Sequence, residues 1–148
     1  PSKWGTVVNS MLVNSSEEMG EIINKKKIKA KVILHRRQIK EVIAEGVEMD
    51  GFQLIYSAGL FDYLSDPVAT FAATTLHKSL SENGELIIGN FNVGIPNEFG
   101  MSLIMDWKLI YRSKEDLVRL FQPATKNIKV EEEPEGINLF AILDKNVA

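Results

Sequence analysis

Several things are scarce in these 148 residues, and each scarcity excludes something. There is no cysteine, so disulfides, thiolate metal sites and a cysteine nucleophile are excluded, and a reducing, cytoplasmic setting is expected. No apolar run approaches the roughly 20 residues that span a bilayer, and no signal peptide is visible. Charge is nearly balanced, at a net −3, so no overall pull toward nucleic acid or a membrane surface is expected. The only histidines are His35 and His77, and neither lies at a metal-ligand spacing from a partner, so no metal site is expected. Glycine is thin at the start: Gly5 is the only one before Gly20, and no strand followed by Gly-x-Gly occurs anywhere.

What is present is ordinary for a globular protein: 45% apolar and 25% charged residues, with length for one domain over 1–148. The chain is organised around residues 52–92. FQLIYSAG is an apolar strand that stops at a glycine, and LFDYLSDP is a loop with a helix start in it. A helical run over 67–81, a turn at Glu82-Asn83-Gly84 and a second apolar strand, ELIIGNF, follow. This is a β-α-β crossover, and strands apolar on both faces belong to a buried parallel sheet. Ligands bind such sheets beyond the carboxyl ends of the strands, which places the loop 57–64 at the binding edge.

In the crossover helix, Val68, Phe71, Ala72, Thr75, Leu76 and Leu80 recur at helical spacing and predict the face that packs on the sheet. Ser65 or Asp66 is the expected N-cap, with Pro67 in the first turn. Before this unit, residues 4–13 and 29–34 read as strands, with a helix between them that begins at Asn14-Ser15-Ser16 and ends in three lysines. The basic run between Lys25 and Lys40 has no aromatic residue to stack a base, so it reads as a solvated rim. After the unit, residues 99–107 form a short apolar segment, either a lid or core filler. Ser113 and Asp116 form a capping box for a helix that Pro123 ends. Strands over 128–132 and 137–143, joined by Glu133-Pro134-Glu135-Gly136, make an antiparallel hairpin. The neighbouring acids Glu131, Glu132 and Glu133 alternate faces of a strand and read as edge protection.

The order of elements is then α/β, a mostly parallel sheet that finishes in an antiparallel β-hairpin. With the strings FQLIYSAGLFDYLSD, GELIIGNF and NEFGMSLIMDWKLIYRSKEDL, the chain resembles the C-terminal part of class I S-adenosylmethionine-dependent methyltransferases, a Rossmann-like fold present here in part. More specifically, these strings look like a bacterial group of such methyltransferases that includes proteins for synthesis of 3-hydroxy fatty acid methyl ester signals.

The resemblance implies S-adenosylmethionine as cofactor. It implies that Asn14 stands where the family carries an acid for the ribose hydroxyls. Arg37, Gln38 and Ile39 would lie near the adenine, and Ser57, Ala58, Gly59 and Leu60 would line the methionine end. It implies further that Phe61 and Tyr63 close the pocket and that Trp107, Tyr111 and Arg112 lie on the acceptor side. The family's first strand and Gly-rich loop have no counterpart in these residues. Two functions remain open: methyl transfer to a small-molecule or fatty-acid-type acceptor, or a non-catalytic domain that oligomerises or binds a ligand or protein. No residue stands out as base or nucleophile. A homodimer is expected, because a sheet without that strand exposes edges.

Overall fold

The structure is a computed structural model; it describes residues 10–13, 32–35, 41, 44–45, 50–95 and 109–146. The chain divides into two compact units, Pro1–Gly46 and Val47–Ala148.

In the first unit, β1 (Ser10–Val13) pairs in parallel with β2 (Val32–His35), from Ser10 opposite Val32 to Val13 opposite His35. β1 falls inside the stretch 4–13 that predicts a strand, and β2 overlaps the stretch 29–34 and runs one residue past it, to His35. The expected helix between them lies outside the described residues.

The second unit holds β3 (Phe52–Ser57), α1 (Asp66–Lys78), β4 (Leu80–Phe91), α2 (Lys114–Phe121), β5 (Ile128–Glu132) and β6 (Asn138–Asp144). Its sheet order is β3-β4-β6-β5. The β3–β4 pair is parallel, and β4–β6 and β5–β6 are antiparallel. The expected mostly parallel sheet is therefore a mixed one in this unit, because the last strand inserts between β4 and β5 instead of extending the edge.

Alternation along the strands decides which face becomes core. Leu86 and Ile88 of β4 and Leu139, Ala141 and Leu143 of β6 are buried on one face, in register with one another. The helices supply Ala69, Ala72 and Ala73 of α1 and Leu117, Leu120 and Phe121 of α2, also buried. Each large side chain fully buried in this way contributes about 1.5–3 kcal/mol. The opposite face carries Leu54 and Tyr56, both exposed, beside half-buried Ile87, Phe140 and Ile142.

Three local expectations are corrected. The core face of α1 is its alanine stripe, whereas Val68 and Phe71 are exposed at 39% and 54%. Small side chains let the helix axis approach neighbouring elements closely, and Thr70 Oγ1 donates to Leu120 O of α2 at 3.0 Å. Leu80 belongs to β4, since the helix ends at Lys78. The expected turn at residues 82–84 is a bulge within β4. Asn83 takes φ +62°, and the register jumps from Phe52 opposite Leu80 to Leu54 opposite Glu85. Gly84 is required there: a Cβ on it would stand 2.6 Å from Phe52 O.

Candidate functional site

β3 ends at Ser57, and Gly59 follows with φ +76°, a left-handed conformation that lets the chain turn away from the sheet. Ala58 and Gly59 are exposed, and Ser57 and Leu60 are half-buried. A single 3-10 turn over Phe61–Tyr63 then leads to α1, whose N-cap is Ser65. The loop therefore offers accessible main chain at the carboxyl end of β3, as the crossover reading expects.

Beneath the loop lies a buried polar cluster. Arg112 is 3% exposed, and its planar fork of five N–H donors is filled by the protein itself. Nη1 donates to Phe61 O at 2.8 Å and to Asn90 Oδ1 at 2.7 Å. Nη2 donates to Leu64 O at 2.7 Å and to Asp66 Oδ1 at 2.8 Å, and Nε donates to the same Asp66 oxygen at 3.2 Å. Asn90 in turn donates from Nδ2 to Ile110 O at 2.9 Å and to Phe91 O at 3.0 Å. Asp62, 2% exposed, accepts Phe91 N–H on Oδ1 at 2.7 Å, and its carbonyl accepts Ile110 N–H at 2.7 Å. Burial pushes the Asp62 carboxyl above the ordinary carboxylate value. The Phe91 N–H bond and the Arg112 charge pull it back in part.

The predicted site residues fall into three groups. Ser57, Ala58, Gly59, Leu60 and Tyr63 sit together on the loop, with Tyr63 55% exposed. Phe61, expected to close a pocket, is fully buried and packs edge-on against Phe121, ring centroids 5.8 Å apart. Arg112, expected on the acceptor side, lies under the loop with its donors engaged. Tyr111 is half-buried and its ring tilts against Phe91 at 6.2 Å. Asn14, Arg37, Gln38, Ile39 and Trp107 lie outside the described residues, as does the apolar segment 99–107.

Asp62 and Asn90 were not singled out from the sequence, and Asp66 was read there only as a candidate N-cap. The available signal was Asp62 and Arg112 sitting in apolar strings, FDYL and IYRS, where a buried charge needs partners. Among the described residues, no group of three or more His, Asp or Glu is placed to hold a metal ion. Among them too, no helix is long and apolar enough to cross a membrane. His77 Nε2 lies 3.2 Å from Asp144 O, a contact between α1 and β6.

No family model matches the chain, and no curated protein matches it. Solved structures do. A SAM-dependent methyltransferase from Thermotoga maritima is 19% identical over 93% of this chain and 73% of its own, with a TM-score of 0.64. One from Methanosarcina mazei is 11% identical over 95% of this chain and 83% of its own, with a TM-score of 0.63. PigF, solved with SAH, is 13% identical over 93% of this chain and 43% of its own, with a TM-score of 0.70. The chain spans about half the length of several other structures it matches. At such identities the likeness speaks for architecture: the chain is built on the α/β fold of the class I S-adenosylmethionine-dependent methyltransferases.

Proposed function

We propose that the chain carries part of an S-adenosylmethionine site and serves methyl transfer to a small-molecule or fatty-acid-type acceptor. The observation that supports this reading best is the loop 57–64. It is exposed at Ala58 and Gly59, at the carboxyl end of β3, and a buried polar cluster holds it from below. Ala58 and Gly59, exposed and without bulky side chains, suit close approach of a ligand to the backbone.

In this reading Ser57, Ala58, Gly59 and Leu60 line the methionine end, and Asn14, Arg37, Gln38 and Ile39 serve the ribose and adenine. Tyr63, Trp107 and Tyr111 face the acceptor, while Phe61 and Arg112 shape the loop from its buried side. The cofactor supplies an electrophilic sulfonium methyl. The residues of the loop orient the reactants and exclude water, which is the main contribution such a displacement needs. A carboxylate acceptor requires no general base. The reading carries with it the bacterial fatty-acid methyl ester group, a cytoplasmic setting and a homodimer, with no nucleic-acid partner.

A second reading is a non-catalytic domain derived from a methyltransferase, favoured by the lack of a strand–Gly-x-Gly motif in these residues and by Asn14 in place of an acid. Calorimetric titration with S-adenosylmethionine and S-adenosylhomocysteine separates the two. For this chain alone we expect binding weaker than about 1 μM. A constant at or below that value means that another segment does the work of the Gly-rich loop. No binding up to about 1 mM removes the cofactor reading and leaves the second.

A further inference from the structure

The geometry points to Arg112 as a positioning residue that fixes the conformation of the loop 57–64 without touching ligand; its bearing on cofactor affinity rests on the function proposed above. Three of its five hydrogen bonds go to neutral oxygens, Phe61 O, Leu64 O and Asn90 Oδ1. Two of those oxygens are carbonyls of the loop itself, at the start of the 3-10 turn and just past its end. Nη1 meets the first and Nη2 the second, a pairing that a planar fork makes at once and a compact ammonium on a flexible stem does not. The remaining two bonds reach Asp66, the first residue of α1, so one side chain locks the loop to the helix that follows it.

The backbone of Arg112 is fixed independently. Its N–H donates to Phe91 O at 3.0 Å, and the residue bridges in parallel to Asn92. The guanidinium therefore projects from a segment attached to the end of β4, and it carries the position of that strand end to the loop. Asp62 repeats the connection in the opposite sense, from the loop to Phe91 N–H and Ile110 N–H. A buried ion pair is weak ground for stability, since apolar side chains of equal volume often serve as well or better. Five directional bonds to four residues specify a loop shape that apolar packing leaves loose.

Hydrogen exchange read by mass spectrometry tests this on the full chain. The variants are Arg112→Lys and Asp66→Ala, with Leu143→Ala as a core control placed on β6. Asp66 is 59% exposed on its side chain and its loss removes only two of the bonds, so that variant keeps the test open where Arg112→Lys fails to fold. Expected is exchange at least tenfold faster in the peptide over 58–66 of Arg112→Lys and a smaller rise in Asp66→Ala. The β4–β6 peptides stay unchanged, and Leu143→Ala shows the reverse pattern. Titration with S-adenosylhomocysteine then gives at least tenfold weaker affinity for Arg112→Lys than for Leu143→Ala.

Acceleration spread evenly over the sheet, or loop protection retained in both variants, overturns the assignment. If the unmodified chain fails to bind S-adenosylhomocysteine, the cofactor reading falls, and the positioning role is decided by the exchange pattern alone.

Discussion

Asp62 and Phe91 are 29 residues apart in the chain, and the carboxylate of the first accepts the backbone N–H of the second at 2.7 Å. A loop acid thus closes the last turn of ladder at the end of β4, with 2% of the residue exposed.

This has a pH signature. Burial, the largest influence, raises the Asp62 carboxyl above its ordinary 3.8, against the Phe91 bond and the Arg112 charge. The folded state then keeps its proton where the unfolded chain has lost it. The Asp62 contribution to stability is full below 3.8 and is lost as pH rises through the raised folded value. Urea unfolding between pH 3 and 7 should show a falling limb in the parent chain that Asp62→Asn flattens. Identical pH profiles for the two would dismiss the claim.

At the start of α2 the sign is reversed. Ser113 Oγ accepts Asp116 N–H at 3.1 Å, and Asp116 Oδ2 accepts Ser113 N–H at 3.1 Å. That Ser113 N–H bond first, and then the Ser113 Oγ–H that donates to the same Oδ2 at 2.9 Å, hold the Asp116 carboxyl below the ordinary value. Its contribution is present above 3.8 and disappears as pH falls through the lowered folded value. Ser113→Ala should lower unfolding free energy by about 1 kcal/mol at neutral pH, measured by denaturant titration.

The bulge in β4 makes a steric prediction. Gly84→Ala brings a methyl to 2.6 Å from Phe52 O, a backbone atom that cannot swing away. A loss of about 1–3 kcal/mol is expected, the usual penalty of overpacking. Gly94→Ala is the comparison: space around it is open but its φ of +73° carries backbone strain alone. A thermal melt in which Gly84→Ala is as stable as the parent chain would show that the bulge yields.

Among the described residues β3 ends its sheet, and Leu54 and Tyr56 are 42% and 58% exposed. Self-association through this edge is the expected result. Light scattering should give a dimer or larger species that Tyr56→Lys shifts toward the monomer, since a charge on an edge strand opposes pairing. A clean monomer for the parent chain rules this edge out as an interface.

The parts of the fold that follow short-range rules were legible in the sequence. Residues 128–132 alternate and are bounded by turn formers, and β5 has those same limits. Ser113 and Asp116 sit three apart before an apolar run, and both halves of the capping box form. The face of α1 was misread because Val68 and Phe71 outrank alanine in hydrophobicity, yet the close packing of this helix selects small residues. At the site, loop 57–64 was legible from strand, glycine and helix start. The engagement of Arg112 by Asp66 and Asn90 was not, since separations of 46 and 22 residues leave no periodic trace.

The position of β6 bears on the order in which the protein can be made. Residues 138–144 lie between β4 and β5, though all of β4 and β5 leaves the ribosome before them. Until they emerge, β4 has only its parallel partner and β5 has none, so both present unpaired backbone to the cell. The sheet thus closes at its middle, in one late step that unites four strands. A stalled or prematurely ended chain exposes two adhesive edges at once, a hazard that follows from the strand order.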